Sequence, residues 1–278
     1  MRAADTMYHF GMQRTVHATS FLGDVMTVPV PPCQDIWQYG LYLDAAEIDL
    51  CRYLIAHLQP GDTFYDVGAN IGFFSLLAAR TVGANGKVLA FEPCPEVLPM
   101  LLENVAATEN IEVISIALSS AEGLSTFHMP PRANMVSSSL NSDHVAATPG
   151  GNQSRKIRVA TATLDKLIED GASPPSIVKV DVEGAEPLVI EGARLSLAKH
   201  KPDVILEVSF EKSIAEGQEA IDMMSEVGYA PCNVTSEGTL EAIPSIEDLS
   251  TAILEDPFYF HNLVNLVFRH SDQGPPPA

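Results

Sequence analysis

The sequence FYDVGANIGFF at residues 64–74 decides the fold class. An apolar strand pattern over residues 63–67 leads into a turn that holds Gly68 and Gly72, and a helical pattern follows from residue 73. Glycine permits both the positive φ and the close backbone approach that a ligand-binding turn of this kind requires. The stretch therefore predicts a strand, a turn at a ligand site and a helix, the first unit of a Rossmann-like α/β fold.

The same alternation of strand and helix continues on both sides of this stretch. Apolar runs bounded by turn residues predict further strands, and apolar residues at helical spacing predict helices between them. The predicted strands cover residues 63–67, 87–91, 111–116, 157–161, 177–180, 204–208, 229–234 and 263–268. The predicted helices cover residues 44–58, 73–80, 95–107, 164–169, 186–198 and 215–227. Strands alternating with helices indicate a parallel sheet with right-handed crossovers.

Three segments interrupt or flank this rhythm. Residues 1–40 hold a proline-rich stretch and are predicted to form an irregular N-terminal arm or cover in front of a domain at 41–270. Residues 119–155 are rich in Ser, Asn, Pro and Gly, and we expect an irregular insertion there that serves as a substrate lid. The tail at 271–278 is expected to be disordered.

Composition narrows the class of protein. The chain has 278 residues with a formal net charge of −20, which disfavours nucleic acid as a substrate because phosphate backbones repel it. No apolar run reaches the ~18 residues that span a bilayer, and no secretory leader is recognised, so a cytoplasmic protein without a membrane span is expected. The four cysteines form no CxxC pair, which argues against a zinc or disulfide framework.

Glu92 follows the predicted strand at 87–91, twenty residues after Gly72. A carboxylate in this position suits the two hydroxyls of a ribose, while Asp66 can accept a hydrogen bond from a ligand ammonium. Gly68 and Gly72 lie four apart, unlike the G-x-G-x-x-G of dinucleotide folds. This spacing favours S-adenosylmethionine, which has no phosphate. The alternative is that the glycines serve only strand-to-helix packing.

The second constellation is the sequence IVKVDVEGAE at residues 177–186. Strand alternation puts Lys179, Asp181 and Glu183 on one face at the ligand edge of the sheet. We predict these residues to be catalytic, with Asp181 near the reacting methyl group. The alternative, for Glu183 and Glu186, is a network that braces the sheet and caps the next helix.

Other polar residues leave further alternatives open. Glu207 could join Asp181 and Glu183 in holding Mg²⁺, although no separate signature demands a metal. His128 and His144, in the insertion, could act as a general base or lie exposed.

The chain resembles the FkbM family of S-adenosylmethionine-dependent methyltransferases. The runs at 64–74, 91–93 and 179–190 carry the resemblance most strongly, and weaker ones at 42–62, 138–140 and 159–165 extend it over roughly residues 42–210. It implies a Rossmann-like class I methyltransferase fold, a mostly parallel seven-stranded sheet with helices on both faces and the last strand antiparallel. It implies methyl transfer to a hydroxyl of a metabolite, sugar or glycolipid. The implied cofactor contacts are Asp66, Gly68, Ala69, Asn70, Gly72 and Glu92, with Ser119 near the adenine.

The expected chemistry is an in-line displacement in which Asp181 takes or relays the hydroxyl proton and Lys179 holds Asp181 in place. Two rival functions remain: a nicotinamide-dependent oxidoreductase, and a non-catalytic protein that uses the cofactor fold as a scaffold. Nucleobase methylation is disfavoured, since no Asp-Pro-Pro-Tyr or Asn-Pro-Pro-Tyr stands at residues 181–184. The acceptor and the oligomeric state stay open.

Overall fold

The fold is an eight-stranded sheet between two layers of helices. The computed structural model describes residues 14–148, 150–209, 214–243 and 263–274. In chain order, the strands of the large sheet are β3 (Thr63–Val67), β4 (Lys87–Phe91), β5 (Ile111–Ile114), β9 (Ile177–Val180), β10 (Asp203–Ser209), β11 (Tyr229–Val234), β12 (Leu240–Ala242) and β13 (Leu263–His270).

The strand order in this sheet is β12-β11-β13-β10-β9-β3-β4-β5. Strands β3, β4, β5, β9 and β10 are parallel, whereas β13 runs antiparallel to both β10 and β11. The predicted parallel sheet with an antiparallel last strand is therefore confirmed. The sheet has eight strands rather than seven, because the short β12 adds an antiparallel strand to the edge at β11.

Strand alternation divides the core into two clusters, one on each face of the sheet. The first contains Phe64 and Ile205 and is covered by helices α2 (Ala45–His57), α3 (Phe73–Val82) and α4 (Leu98–Val105). The second contains Tyr65 and Leu206 and is covered by helices α6 (Leu164–Glu169), α7 (Glu186–Glu191), α8 (Arg194–His200) and α9 (Ile214–Glu226). Each fully buried large side chain contributes about 1.5–3 kcal/mol to stability.

The segment at 186–198 was predicted as one helix and is two, α7 and α8. The break falls at Gly192, where a Cβ atom would lie 2.1 Å from the carbonyl oxygen of Ser119. The Asp165 carboxylate accepts from the backbone N–H of Leu195 at 3.1 Å and of Ser196 at 2.7 Å, which satisfies the free donors of a new helix. This long-range cap explains why helical periodicity alone misses the break.

The N-terminal arm is more regular than predicted. Strands β1 (Arg14–Thr19) and β2 (Val25–Val30) form a hairpin, which helix α1 (Gln34–Tyr39) follows. Asn104 on α4 accepts from the Thr27 N–H at 2.6 Å and donates to the carbonyl oxygens of Thr27 and Ile71. This amide ties the hairpin to the glycine turn. Residues 1–13 of the predicted arm lie outside the described residues.

The segment at 119–155 is also more ordered than predicted. Strand β7 (Gly123–Met129) pairs antiparallel with β8 (Arg155–Ala162), and β6 (Ala117–Leu118) completes a separate three-stranded sheet. The predicted strand at 157–161 therefore belongs to this small sheet. Helix α5 (Ser142–Ala147) lies between β7 and β8 in the chain, and Asn141 caps it. The polar residues of β7 hide the alternation of apolar and polar side chains that predicts a strand, which explains why an irregular segment is expected there.

The C-terminal end also differs from the prediction of a disordered tail at 271–278. Residues Ser271–Gln273 form a single 3₁₀ turn, while residues 275–278 of the predicted disordered tail lie outside the described residues. Within the described part of the chain, no helix is both long and apolar enough to cross a membrane.

Candidate active site

The glycine turn joins β3 to α3 at the carboxyl edge of the sheet. Gly68, Asn70 and Gly72 have φ values of +84°, +50° and +87°. The N–H groups of Gly68 and Ala69 both donate to the Phe91 carbonyl oxygen at 3.0 Å. A Cβ atom on Gly68 would lie 1.9 Å from the Asp181 carbonyl oxygen, so only glycine fits between the ends of the neighbouring strands.

Glu92 fixes this turn from β4. Its carboxylate accepts from the Asn70 N–H at 2.9 Å and from the Cys94 N–H at 2.7 Å. Burial raises the pKa of Glu92 to about 7, although the two N–H donors oppose this shift. Glu92 also lines the cleft beside the turn, where it was predicted to hold a ribose.

Two buried acceptor atoms at the turn lack a donor. Asp66 is 1% exposed, and its Oδ2 accepts from the Ser75 hydroxyl at 2.6 Å. The Oδ1 atoms of Asp66 and Asn70 are both buried without a hydrogen-bond partner. Burial raises the pKa of Asp66, which the charge of Lys179 opposes. Because an unsatisfied buried acceptor costs about 1–3 kcal/mol, the pair suits a ligand that brings N–H donors.

Lys179 on β9 and Asp181, the residue that follows this strand, form the predicted pair. Lys179 Nζ donates to Asp181 Oδ2 at 2.8 Å and lies 5.0 Å from the centre of the Phe74 ring. Burial lowers the pKa of Lys179, but the carboxylates of Asp181, Asp66 and Glu47 outweigh it and raise that pKa. Lys179 is therefore a buried cation held in its charged form by the surrounding carboxylates.

More carboxyl groups surround this pair than the sequence indicated. Glu47, in the first turn of α2, has a pKa that burial raises to about 7, and its Oε2 has no hydrogen-bond partner. Burial, together with the charges of Asp181 and Glu183, raises the pKa of Glu207 well above its usual range. Asn265, opposite Glu207 in the sheet, donates to the Ala46 carbonyl oxygen at 3.3 Å and so joins the start of α2 to this face.

Glu47 was missed because nothing in its local sequence distinguishes it from other acids in the first turn of a helix. Its role here depends on the packing of α2 against β11 and β13, which brings Glu47 close to Lys179. Among the described residues, no group of three or more His, Cys, Asp or Glu side chains has the arrangement of a metal site. The three acids weighed for Mg²⁺ are therefore not arranged as such a group.

Glu183 lies in a turn beyond the end of β9, and not in the strand whose alternation would place it on one face with Lys179 and Asp181. Its φ is +57°, and His144 Nε2 donates to its Oε2 at 2.8 Å. The His144 side chain is only 10% exposed, so the alternative of an exposed histidine is wrong. Glu186, weighed as a bracing residue, accepts from the N–H groups of Val182 and Gly184, at 3.0 and 3.4 Å.

A cleft of about 640 Å³, counting its open mouth, lies beside the glycine turn and the end of β9. Of the predicted site residues, Gly68, Asn70, Glu92, Asp181 and Glu183 line it.

The other predicted site residues do not line the cleft, namely Asp66, Ala69, Gly72, Ser119 and Lys179. The Ser119 N–H donates to the Ala162 carbonyl oxygen, and its neighbours Ala117 and Leu118 line the cleft instead. The predicted contact of Ser119 with an adenine stays a prediction.

The sheet order, the antiparallel β13 and the glycine turn define the class: this is a Rossmann-like α/β domain of the class I methyltransferase type. The family model described as "Methyltransferase FkbM domain" matches residues 66–231. The chain belongs to the FkbM methyltransferase family, as the motifs predicted.

Two curated relatives share part of this sequence. The hexuronic acid methyltransferase AglP of Haloferax volcanii is 33% identical over 148 residues, which are 52% of this chain and 56% of that protein. Methyltransferase sdnD of Sordaria araneosa is 30% identical over 165 residues, which are 50% of this chain and 63% of that protein. The matches thus span less than two thirds of either relative.

Solved structures resemble the chain more distantly. An FkbM methyltransferase from Methylobacillus flagellatus aligns with a TM-score of 0.45 at 16% identity, over 76% of this chain and 44% of that one. Fibrillarin of Aeropyrum pernix with bound S-adenosyl-L-methionine aligns with a TM-score of 0.47 at 13% identity, over 92% and 99%. Similarity at this level supports no conclusion about function.

Proposed function

We propose that the protein is an S-adenosylmethionine-dependent O-methyltransferase that acts on a hydroxyl of a small metabolite, sugar or glycolipid. The observation that carries the proposal is the pair of buried acceptors without donors, Asp66 Oδ1 and Asn70 Oδ1, at a glycine turn beside Glu92. Membership of the FkbM family supports the reaction class.

The donor and acceptor set of the site fits this cofactor. The ammonium of its amino-acid part would supply N–H donors to Asp66 and Asn70, and the ribose hydroxyls would donate to the remaining lone pairs of Glu92. Phe91, Ile116 and other apolar side chains line the cleft and offer a surface for the adenine ring. When bound, the cofactor supplies a methyl group that its sulfonium already activates.

The chain's own residues then position the acceptor and remove its proton. Asp181 is 24% exposed at the cleft, so its carboxylate can accept a hydrogen bond from a hydroxyl there. The buried Lys179 holds this carboxylate in one orientation through their 2.8 Å ion pair. We assign Asp181 the role of proton acceptor, which general-base catalysis makes worth about 100-fold or more in rate.

A sugar or glycoside acceptor is supported by the relative named as a hexuronic acid methyltransferase. The cleft also presents the carboxylate of Asp181, and the buried Glu47 and Glu207 lie close enough to Asp181 to feel its charge. Such groups readily exchange hydrogen bonds with the hydroxyls of a polyhydroxylated compound. Both points favour a hydroxylated acceptor over an aromatic amine or a nucleobase.

The test is methyl transfer from S-adenosylmethionine with a labelled methyl group to a panel of sugars, glycosides, glycolipids and polyketide alcohols. We expect label in an ether product for at least one hydroxylated acceptor, together with stoichiometric S-adenosylhomocysteine. Transfer only to nitrogen, or no transfer to any panel member by protein that binds the cofactor, would contradict hydroxyl methylation.

A further inference from the structure

One segment of the predicted insertion is fastened to the loop that follows β9. We call residues 135–144 the clamp segment and residues 182–184 the β9 turn. Ser139 Oγ donates to the Val182 carbonyl oxygen at 2.9 Å, and Asn141 Nδ2 donates to the Gly184 carbonyl oxygen at 2.7 Å. His144 Nε2 donates to Glu183 Oε2 at 2.8 Å. Each residue of the β9 turn is thus held by a different side chain.

The β9 turn adopts a backbone that needs outside support. Glu183 and Gly184 both have positive φ, +57° and +86°, and such a conformation is strained for glutamate. On the inner side, the buried Glu186 carboxylate accepts from the N–H groups of Val182 and Gly184. The outer side is held by the clamp segment. Strained backbone of this kind persists only where its surroundings over-determine it.

The clamp segment and the β9 turn both contribute to the wall of the cleft. Met135, Val136 and Leu140 of the clamp segment line the same cleft as Val182 and Glu183 of the β9 turn. That cleft also contains Phe91 and Glu92, the end at which the proposed nucleoside would lie. The three hydrogen bonds therefore fasten two parts of the lining of this cleft to each other.

We propose that Ser139, Asn141 and His144 are positioning residues for the cofactor, which hold this wall closed, and that the wall must open for the cofactor to exchange. The proposal rests on the proposed function, because it takes the ligand to be S-adenosylmethionine or S-adenosylhomocysteine. Glu183 acts in this wall as the anchor of His144.

One substitution separates the clamp contact from helix capping. Asn141 Oδ1 accepts from the N–H groups of Asp143 and His144 and so caps α5. Asn141→Asp keeps an acceptor for this cap but replaces the donor to Gly184 with an oxygen. Ser139→Ala removes the donor to Val182. Ser142→Ala is the matched control, because the Ser142 hydroxyl is in the same segment and donates to its neighbour Asp143 at 3.3 Å rather than to the β9 turn.

The experiment measures association and dissociation rates of S-adenosylhomocysteine by surface plasmon resonance, on full-length protein. We expect the Asn141→Asp variant to release the ligand about 5-fold faster and the Ser139→Ala, Asn141→Asp double variant at least 20-fold faster. Their association rates should stay within about threefold of wild type. Ser142→Ala should behave as wild type. Amide hydrogen exchange over residues 135–144 should slow on ligand binding in wild type and much less in the double variant.

Dissociation from a folded double variant within twofold of wild type would overturn the clamp proposal and leave the methyltransferase proposal intact. Absence of binding by wild-type protein would instead remove the proposed function itself. If the double variant fails to fold, Asn141→Asp alone decides between these outcomes by the same rates. His144→Gln, which keeps a donor for Glu183, should retain most of the wild-type residence time.

Discussion

The glycine turn and the clamp segment line the same cleft but obtain their structure in different ways. The turn is held by backbone: two N–H groups donate to one carbonyl oxygen, and Gly68 lies against another. The clamp segment is held by side chains that reach more than forty residues along the chain, from Ser139 to Val182 and from Asn141 to Gly184. We infer that the turn tolerates almost no change, whereas the clamp tunes how long a ligand stays.

The largest effect is expected at Gly68. The Gly68→Ala variant places a Cβ 1.9 Å from a backbone oxygen at a φ of +84°, so β3 and β9 must separate. We expect it to lose about 4 kcal/mol or more of unfolding free energy in urea denaturation, along with cofactor binding. Gly61→Ala is the control, since Gly61 has a φ of +96° with nothing within 4 Å, and should lose about 1–2 kcal/mol. Equal losses at both sites would show that the close packing of Gly68 is unimportant.

The next effect concerns chemistry rather than packing. Asp181→Asn keeps the shape of the side chain but removes the charge that pairs with Lys179 and the base we assign. We expect the turnover number to fall about 100-fold or more, with cofactor affinity within about threefold of wild type. Asp170→Asn, at an exposed ion pair with Lys166, should change neither quantity. Full turnover by Asp181→Asn would remove Asp181 from the mechanism.

Glu92 both fixes the glycine turn and lines the cleft. Glu92→Gln turns one of the two acceptor oxygens into a donor that faces the N–H of Asn70 or Cys94. We expect the affinity for S-adenosylmethionine, measured by calorimetry, to fall about 10- to 30-fold. Glu96→Gln at the surface ion pair with Arg155 is the control and should bind normally. Unchanged affinity in Glu92→Gln would contradict the role of Glu92 at the ribose.

The smallest expected effect is a pH dependence of stability without ligand. Burial raises the pKa of Glu186 to about 7, above the value of about 4.5 in an unfolded chain. The folded protein therefore keeps a proton that the unfolded chain releases, and this contribution is full below pH 4.5 and lost as pH rises through 7. Glu186→Gln should flatten the fall in unfolding free energy between pH 5 and 8 by about 1 kcal/mol. An unchanged slope in urea titrations at several pH values would show that Glu186 is ionised when folded.

Most of the large sheet could be predicted from the sequence because local periodicity encodes it. The strands at Thr63–Val67, Lys87–Phe91 and Ile177–Val180 begin and end at the predicted residues. Lys179 and Asp181 also pair as strand alternation indicated. Here the backbone period and the burial pattern agree, so a short window of sequence is enough.

The remaining features depend on contacts between distant residues. The break at Gly192 needs Ser119 and Asp165, the hairpin needs Asn104, and the wall of the cleft needs His144 to meet Glu183. None of these partners can be recognised from spacing, because a polar residue in a loop has the same local pattern whether it is exposed or docked. The buried Glu47, near Lys179, is a corresponding case.

The most direct test of the account is calorimetric titration of the purified protein with S-adenosylmethionine, S-adenosylhomocysteine and NADH. We predict one site per chain, micromolar dissociation constants for the first two ligands, and no detectable heat from NADH. Binding of NADH alone, or of none of the three by folded protein, would contradict the assignment of the cleft to a methyl donor.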